Sequence, residues 1–294
     1  MQVNEKLTIE SMVLVTGGAG FIGSHLCELL VNTGYKNVFS LDNYSTGHIA
    51  NHVPGVSYLT GSTTDIEKIV DFSPDLVFHL GEYSRVERSF LDLDTVWESN
   101  ARGTFNVLRF CVNRSAKLVY AGSSTKFADD GLGPSQSPYG WTKASNTRLI
   151  ESFSKWFSLS YAIVYFYNAY GGREIAAGDY ATVIGIFSRQ ARDGESLKVV
   201  SPGTQERNFT HVDDIVNGLK LVGEAGEGDG YGIGHDKSWS VLQVAQLYGK
   251  EIEMLPARIG NRMGADLVVT KTKSLGWEAK IDLADYVASL SIGH

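Results

Sequence analysis

Cysteine, excess positive charge and long apolar runs are all missing or scarce in this chain of 294 residues. Only two cysteines occur, Cys27 and Cys111. Both fall in apolar helical patterns, which favours buried free thiols over a disulfide framework or a metal cluster. The seven histidines show no metal-ligand spacing, so no metal site is expected. Lysine and arginine total 26 against 33 acidic residues, for a net charge of −7. That balance gives no general attraction to nucleic acid or to an anionic membrane, and any phosphate site must be local. No apolar run is long enough to span a bilayer. The N-terminus, MQVNEKLTIES, lacks the basic segment and apolar stretch of a signal peptide. A cytoplasmic enzyme or binding protein is expected, with a chain long enough for one large core or two unequal domains. No internal repeat or low-complexity tract appears.

What is present begins with Met12–Thr16, a short continuous apolar run of the kind buried on both faces of a sheet. It leads directly into Gly17, Gly18, Gly20 and Gly23, and an amphipathic helix follows to about Asn32. Glycines let a backbone approach a pyrophosphate, and a helix N-terminus offers it unpaired N–H groups. A glycine-rich turn alone would be weak evidence. Here a second strand, Val38–Leu41, follows and ends at Asp42, about 20 residues on, where an acid would hold a ribose diol. The full context predicts dinucleotide binding. Asp42 would repel a 2′-phosphate and no arginine follows it directly, so NAD is favoured over NADP.

Further short strands are expected at Val56–Leu59, Asp75–Leu80, Lys117–Ala121 and Tyr161–Tyr167, with helices around 65–71, 95–112 and 139–157 between them. This alternation predicts an α/β fold: a doubly wound parallel sheet of Rossmann type with right-handed crossovers. Residues 1–168 form the expected NAD-binding domain, with a return of the chain at about 205–223. Residues 169–294 mostly form a smaller mixed α/β substrate domain. Asp213 is expected to cap the helix over 215–222. Within Ser137–Lys143, SPYGWTK, Tyr139 and Lys143 are four apart and share one helical face. A lysine ammonium beside a phenol favours phenolate, making a general base of a group that ordinarily titrates near ~10. Gly122-Ser123-Ser124-Thr125 follows the fifth strand at the carboxyl end of the sheet, where such folds place ligands and where a hydroxyl could meet the phenol.

Taken together, TGGAGFIG, LDN at 41–43, FHLG at 78–81, N-x-x-G-T at 100–104, Ser123-Ser124, SPYGWTK, YNAYG at 167–171, RNFTHVDD and R-x-G at 262–264 resemble the NAD-dependent nucleotide-sugar epimerase/dehydratase family, extended short-chain dehydrogenase/reductases. The resemblance covers nearly the whole chain. It implies that Gly17, Gly20 and Gly23 cradle the pyrophosphate, with Phe21, Ile22, Asn43, Leu80 and Gly81 as further cofactor contacts and Asp42 on the adenosine ribose. Tyr139 would take a proton from a sugar hydroxyl, Lys143 would bond the nicotinamide ribose, and Ser124 would hydrogen-bond the reacting hydroxyl, with Thr125 in reserve. Asn168, Arg207 and Arg262 would hold the diphosphate of a nucleotide-sugar substrate. Members commonly pair two helices into a homodimer, here about 95–112 and 139–157, where Trp97, Phe105, Trp156 and Phe157 stand.

Departures from the family pattern narrow the chemistry. Ser62 stands where an adenine-binding aspartate is usual, Gly81-Glu82 replaces a pair of small residues beside the nicotinamide with Tyr83 following, Tyr165 replaces a frequent arginine, and Gly172 a frequent proline. Glu82 reads equally as a salt-bridged bystander or as a source of local field. Lys126 and Phe127 occupy the positions of the acidic pair needed for dehydration, which disfavours a dehydratase, and no glutamate of the decarboxylating branch is in this loop. The expected reaction is oxidation at C4 by a nucleotide-sugar 4-epimerase in a polysaccharide-precursor pathway. The alternatives are a net C4 dehydrogenase and, in another class, a non-catalytic NAD-binding sensor.

Overall fold

The structure, a computed structural model, describes residues 7–127, 132–256 and 266–290. Its first half runs β1 (Met12–Thr16), α1 (Phe21–Asn32), β2 (Asn37–Asp42), β3 (Val56–Thr60), α2 (Ile66–Ile69), β4 (Leu76–His79), α3 (Leu93–Val96), α4 (Thr104–Arg114), β5 (Lys117–Ser123), α5 (Pro138–Phe157) and β6 (Tyr161–Phe166). The second half adds β7 (Ala169–Tyr170), α6 (Val183–Arg192), β8 (Leu197–Val200), β9 (Glu206–Arg207), β10 (Thr210–His211), α7 (Val212–Ala225), β11 (Gly228–Ile233), β12 (Trp239–Ser240), α8 (Val241–Leu247), β13 (Ile252–Leu255), α9 (Thr270–Lys273) and α10 (Leu283–Ser289).

Seven strands form one sheet in the order β11-β6-β5-β4-β1-β2-β3, and every pair is parallel. Strands between parallel neighbours are buried on both faces, which is why β1 and β4 run apolar without alternation up to the polar residues at their carboxyl ends, Thr16 and His79. The pleat then sorts their side chains. Val13 and Val15 join Leu26, Leu30, Ile215 and Leu219 on the face covered by α1 and α7. Leu14 joins Val107, Phe110, Leu118, Ile150 and Phe153 on the opposite face, covered by α4 and α5. Each of these fully buried aliphatic or aromatic side chains contributes about 1.5–3 kcal/mol. A third, separate cluster gathers Tyr170, Ile184, Phe187, Leu197, Val244, Tyr248 and Leu283 from the second half of the chain. The return to the first cluster runs further than 205–223, since Ile233, Val269 and Trp277 also pack there.

Local chemistry sets the helix ends that matter. At α5, Ser137 Oγ accepts the Gly140 N–H at 3.0 Å and Pro138 occupies the first turn, so the helix begins immediately before Tyr139. The cap of α7 differs from the expectation. His211, extended at the end of β10, accepts the Asp213 N–H on Nδ1 at 3.2 Å, and Asp213 lies inside the first turn. The carboxylate of Asp213 instead faces His25 Nδ1 at 3.3 Å. The expected single helix over 95–112 is also interrupted: Trp97–Gly103 winds as a π-helix between α3 and α4. That wider turn carries the buried Asn100, which accepts the Tyr83 N–H at 2.8 Å and donates to the Tyr83 carbonyl at 3.1 Å. Trp97, Phe105, Trp156 and Phe157 are exposed, and Trp97 stacks on the equally exposed Trp141. No helix among the described residues is long and apolar enough to cross a membrane.

One buried acid makes the fold sensitive to pH. Glu174, in the loop after β7, accepts hydrogen bonds from the Thr182 hydroxyl and, at 3.5 Å, the Gly171 N–H. Burial outweighs these bonds and pushes its carboxyl from 4.5 up to about 7. A raised acid in the folded state lowers stability as pH climbs from the unfolded value through the folded one. Urea denaturation should show Glu174→Gln gaining on the order of 1–3 kcal/mol relative to wild type between pH 5 and pH 8. Parallel pH profiles for the two proteins would contradict this assignment.

Candidate active site

The first element of the site is the turn after β1. Gly17 has φ +76°, and a Cβ there would stand 2.8 Å from Gly81 Cα, so the turn presses directly on the chain leaving β4. A Cβ on Gly23 would overlap the Gly17 carbonyl oxygen, which brings the first turn of α1 hard against the loop. Gly20 caps α1 without a side chain, and the first turn carries no acid. The open N–H groups there suit an anion, and the cradle has room for backbone but not for side chains.

These residues line a cleft of about 840 Å3 at the carboxyl ends of the strands. Gly17, Gly20, Phe21, Ile22, Gly23, Asp42, Asn43, Leu80, Gly81, Tyr139, Lys143 and Asn168 all face it. Asp42 is fixed at the end of β2, its carboxylate accepting the Ala19 N–H at 2.9 Å and the Tyr44 N–H at 2.8 Å. Ser62 also lines the cleft, but its hydroxyl oxygen accepts the Thr64 N–H and hydroxyl within its own turn. Ser124 and Thr125 sit half-buried just past β5 and are not among the lining residues; the Thr125 hydroxyl donates to Ser123 Oγ at 2.9 Å. Arg207 lies on β9, paired with β12, and donates to the Glu206 carbonyl at 2.7 Å; it too is outside the lining. Arg262 lies outside the described residues.

Glu82 proves to be the partner of Lys143. Their charged ends form a salt bridge with side chains only 2 % and 6 % exposed, and Lys143 also donates to the Ala121 carbonyl at 2.6 Å. Two of the three ammonium donors are thereby used, leaving one. The other Glu82 oxygen accepts from Thr104 Oγ1 at 2.6 Å, Asn146 Nδ2 at 3.0 Å and the Tyr120 hydroxyl at 3.2 Å. Thr104 in turn is 3.0 Å from His79 Nε2, while His79 Nδ1 is 2.7 Å from Thr16 Oγ1, which accepts the Gly81 N–H. Because Thr104 donates to Glu82, His79 must donate from Nε2 and accept on Nδ1, a neutral tautomer assigned from the network. Burial keeps that imidazole neutral, with its pKa pushed down to about 4. The same burial, reinforced by the Glu82 charge, raises the Tyr120 phenol.

The loop after β5 is committed elsewhere. Lys126 forms a salt bridge with Asp229 on β11 and bonds the Tyr165 hydroxyl at 3.0 Å; that hydroxyl donates to Asp229 at 2.6 Å. Phe127 packs edge-on against Tyr165. Among the lining residues that sequence reasoning passed over are Arg85 and Tyr180. Nothing in their local pattern distinguishes them, because each is brought to the cleft by contacts 95 residues apart in the chain. Both cysteines are buried and free. No group of three or more His, Cys, Asp or Glu side chains suited to a metal occurs among the described residues.

The sheet order, the glycine turn and an acid closing β2 define a dinucleotide-binding protein of the Rossmann class. The chain belongs to the NAD dependent epimerase/dehydratase family, whose sequence model matches residues 13–234. It is 31% identical over 252 residues to the UDP-N-acetyl-alpha-D-glucosaminuronate decarboxylase of Bacillus cytotoxicus, covering 79% of this chain and 78% of that one. Among solved structures, it superposes on a UDP-glucose 4-epimerase with UDP-glucose from Thermotoga maritima at TM-score 0.87 and 28% identity, covering 95% and 96% of the two chains. It also matches a Thermus thermophilus UDP-glucose 4-epimerase complexed with NAD at TM-score 0.84 and 26% identity, covering 95% and 99%. The cofactor is NAD, and the chain's own cradle fits it: glycines where a Cβ would clash, open helix N–H groups, and a single ordered carboxylate in Asp42.

Removing only one partner of a buried ion pair leaves the other charge stranded. Glu82→Ala should therefore destabilise the protein by about 3–5 kcal/mol. The double variant Glu82→Ala/Lys143→Met should lose much less than the sum of the two single changes. Additive losses in urea denaturation would mean that the two charges do not depend on each other.

Proposed function

We propose that this chain oxidises the C4 hydroxyl of a sugar carried on a nucleoside diphosphate, and that it works as a nucleotide-sugar 4-epimerase. The observation that supports the reading is that Tyr139 and Lys143, four apart on α5, open onto the same cleft as the glycine turn and Asp42. Gly17, Gly20, Gly23 and Asp42 would hold NAD, which would supply a hydride acceptor for C4 and, once reduced, a hydride donor. Tyr139 takes the hydroxyl proton and later returns it as general acid. The Lys143 ammonium, held by Glu82 and the Ala121 carbonyl, keeps one N–H donor for the cofactor ribose and the developing anion, with its charge largely offset by Glu82. Ser124, next to the cleft-lining end of β5, steadies the reacting hydroxyl, while Asn168, Arg207 and Arg262 hold the diphosphate. Fixing the diphosphate positions C4, and such positioning contributes several kcal/mol to lowering the barrier.

A 4-keto sugar that turns over in the cleft before its reduction leaves with C4 inverted. One that departs unreduced makes the chain a net C4 dehydrogenase. The epimerase reading is supported by the likeness to two UDP-glucose 4-epimerases. Dehydration is disfavoured because Lys126 and Phe127 supply no acid or base, and Lys126 is engaged with Asp229. The decarboxylase relative is weighed against the absence of a glutamate in Ser124–Phe127. A non-catalytic NAD sensor has no need of the Tyr139–Lys143 pair.

The test is a panel of UDP-, GDP-, CDP- and dTDP-sugars, followed by NADH absorbance and product analysis. Tyr139→Phe should reduce turnover by about 10²-fold or more and leave NAD affinity nearly unchanged. Undiminished turnover in that variant would remove Tyr139 from the mechanism.

A further inference from the structure

Arg85 is the unusual charge in the cleft. It follows β4 by a few residues and lines the same cavity as Tyr139 and Lys143. Five other arginines, Arg88, Arg102, Arg114, Arg173 and Arg189, each face a carboxylate. Arg85 has no ion-pair partner among the described residues. Its guanidinium lies 5.8 Å from the centroid of the Tyr180 ring. One Nη2 hydrogen goes to the Tyr180 carbonyl, Nη1 has only a contact at 3.4 Å to the Ser84 carbonyl, and Nε is buried with no partner.

Three carboxylates on the segments that carry Arg85 and Tyr180 are already committed. Glu82 is bound to Lys143. Asp92 accepts from Arg88 and from the Tyr83 hydroxyl, and Asp179 pairs with Arg88 at 2.7 Å. Desolvation disfavours the Arg85 charge, and the groups that act on it in compensation are the phenols Tyr139, Tyr180 and Tyr83. A guanidinium keeps its proton, so this half-buried one, with its Nε buried and unpartnered and other donors free toward the cleft, is matched by an anion. Its planar fork matches a carboxylate bidentately. The wall formed by Glu82, Tyr83, Ser84 and Arg85 lines the same cavity as Tyr139 and Lys143, which places the anion on the side of the cleft where the substrate reacts.

We infer that Arg85 is a specificity-determining residue for a carboxylate on the sugar ring, so that the substrate class is a nucleotide-linked uronic acid. The inference rests on the C4-oxidation reading. On a hexuronate, the carboxylate carbon is attached to C5, the neighbour of the carbon whose hydroxyl Tyr139 deprotonates. Arg85 Nε and the remaining Nη hydrogens then meet the two carboxylate oxygens. The half-buried charge gains its counter-ion only when the acidic sugar is in place, while the neutral CH2OH analogue leaves the guanidinium unpaired. That asymmetry is the source of discrimination.

The test uses the NAD-loaded full chain with matched pairs: UDP-glucose against UDP-glucuronate, and dTDP-glucose against dTDP-glucuronate. Turnover is followed together with calorimetric affinity. Wild type should prefer the uronate of a pair by about 30-fold or more, and Arg85→Met should abolish that preference while leaving NAD affinity and handling of the neutral sugar within about threefold. Arg85→Lys, which keeps the charge but not the fork, should recover part of the preference and serves in place of the methionine variant if that variant does not fold. Equal treatment of the two sugars by wild type would overturn the inference and leave the C4 reading standing. So would a loss in Arg85→Met that falls equally on both sugars, because the guanidinium would then serve the diphosphate or the scaffold. If NAD binds but no member of either pair, nor of the matching GDP and CDP pairs, is bound or turned over, the C4 reading fails and this inference fails with it.

Discussion

A buried ion pair ties the cofactor half of this site to its chemical half. Glu82 leaves the end of β4, and Lys143 comes from the second turn of α5, 61 residues later. Neither charge tolerates burial alone, so the pair holds only while β4, β5, α4 and α5 are in register. Thr104, Asn146 and Tyr120 complete the shell around Glu82, and the Ala121 carbonyl completes it around Lys143. The neutral His79, held between Thr16 and Thr104, extends the same network to the glycine turn through Gly81. Buried networks of this sort contribute modestly to net stability but discriminate strongly against misplaced partners.

The charge balance of the cleft follows from that pair. A lysine without a partner would dominate the local field. Here Glu82 offsets it, and the guanidinium of Arg85 is left as the positive group without a counter-ion among the described residues. Carboxylates that could have neutralised it, Asp92 and Asp179, are gathered by Arg88 instead. The same economy appears beyond β5, where Asp229 and the Tyr165 hydroxyl remove Lys126 from the chemistry. Ion pairs on either side of the site therefore decide which charges are left to face the cleft.

Much of this was legible in the sequence because its causes are local. An apolar run of five, four glycines and an acid closing the next strand encode a strand, a turn and a helix start within about 30 residues. Tyr139 and Lys143 share a face by helical geometry alone. What was not legible depends on distant partners. Glu82 could be recognised as out of place, but its role required knowing that Lys143 would arrive beside it. Arg85 looked like any loop arginine until Tyr180 closed against it. The π-turn over 97–103 and the two-residue strands β7, β9, β10 and β12 carry no periodic signal, since tertiary contacts select them. The cap of α7 shifted from Asp213 to His211 because β10 delivers an extended residue one step ahead of the helix.

The central claim is that the cleft removes hydrogen from C4 of a nucleotide sugar. It is tested most directly by rapid mixing of the NAD-loaded protein with nucleotide sugar carrying hydrogen or deuterium at C4, following reduced-cofactor absorbance. The account predicts a transient absorbance that forms more slowly with deuterium at C4 than with hydrogen. A complete absence of that transient, or a signal slowed by deuterium at C5 and not at C4, would contradict it.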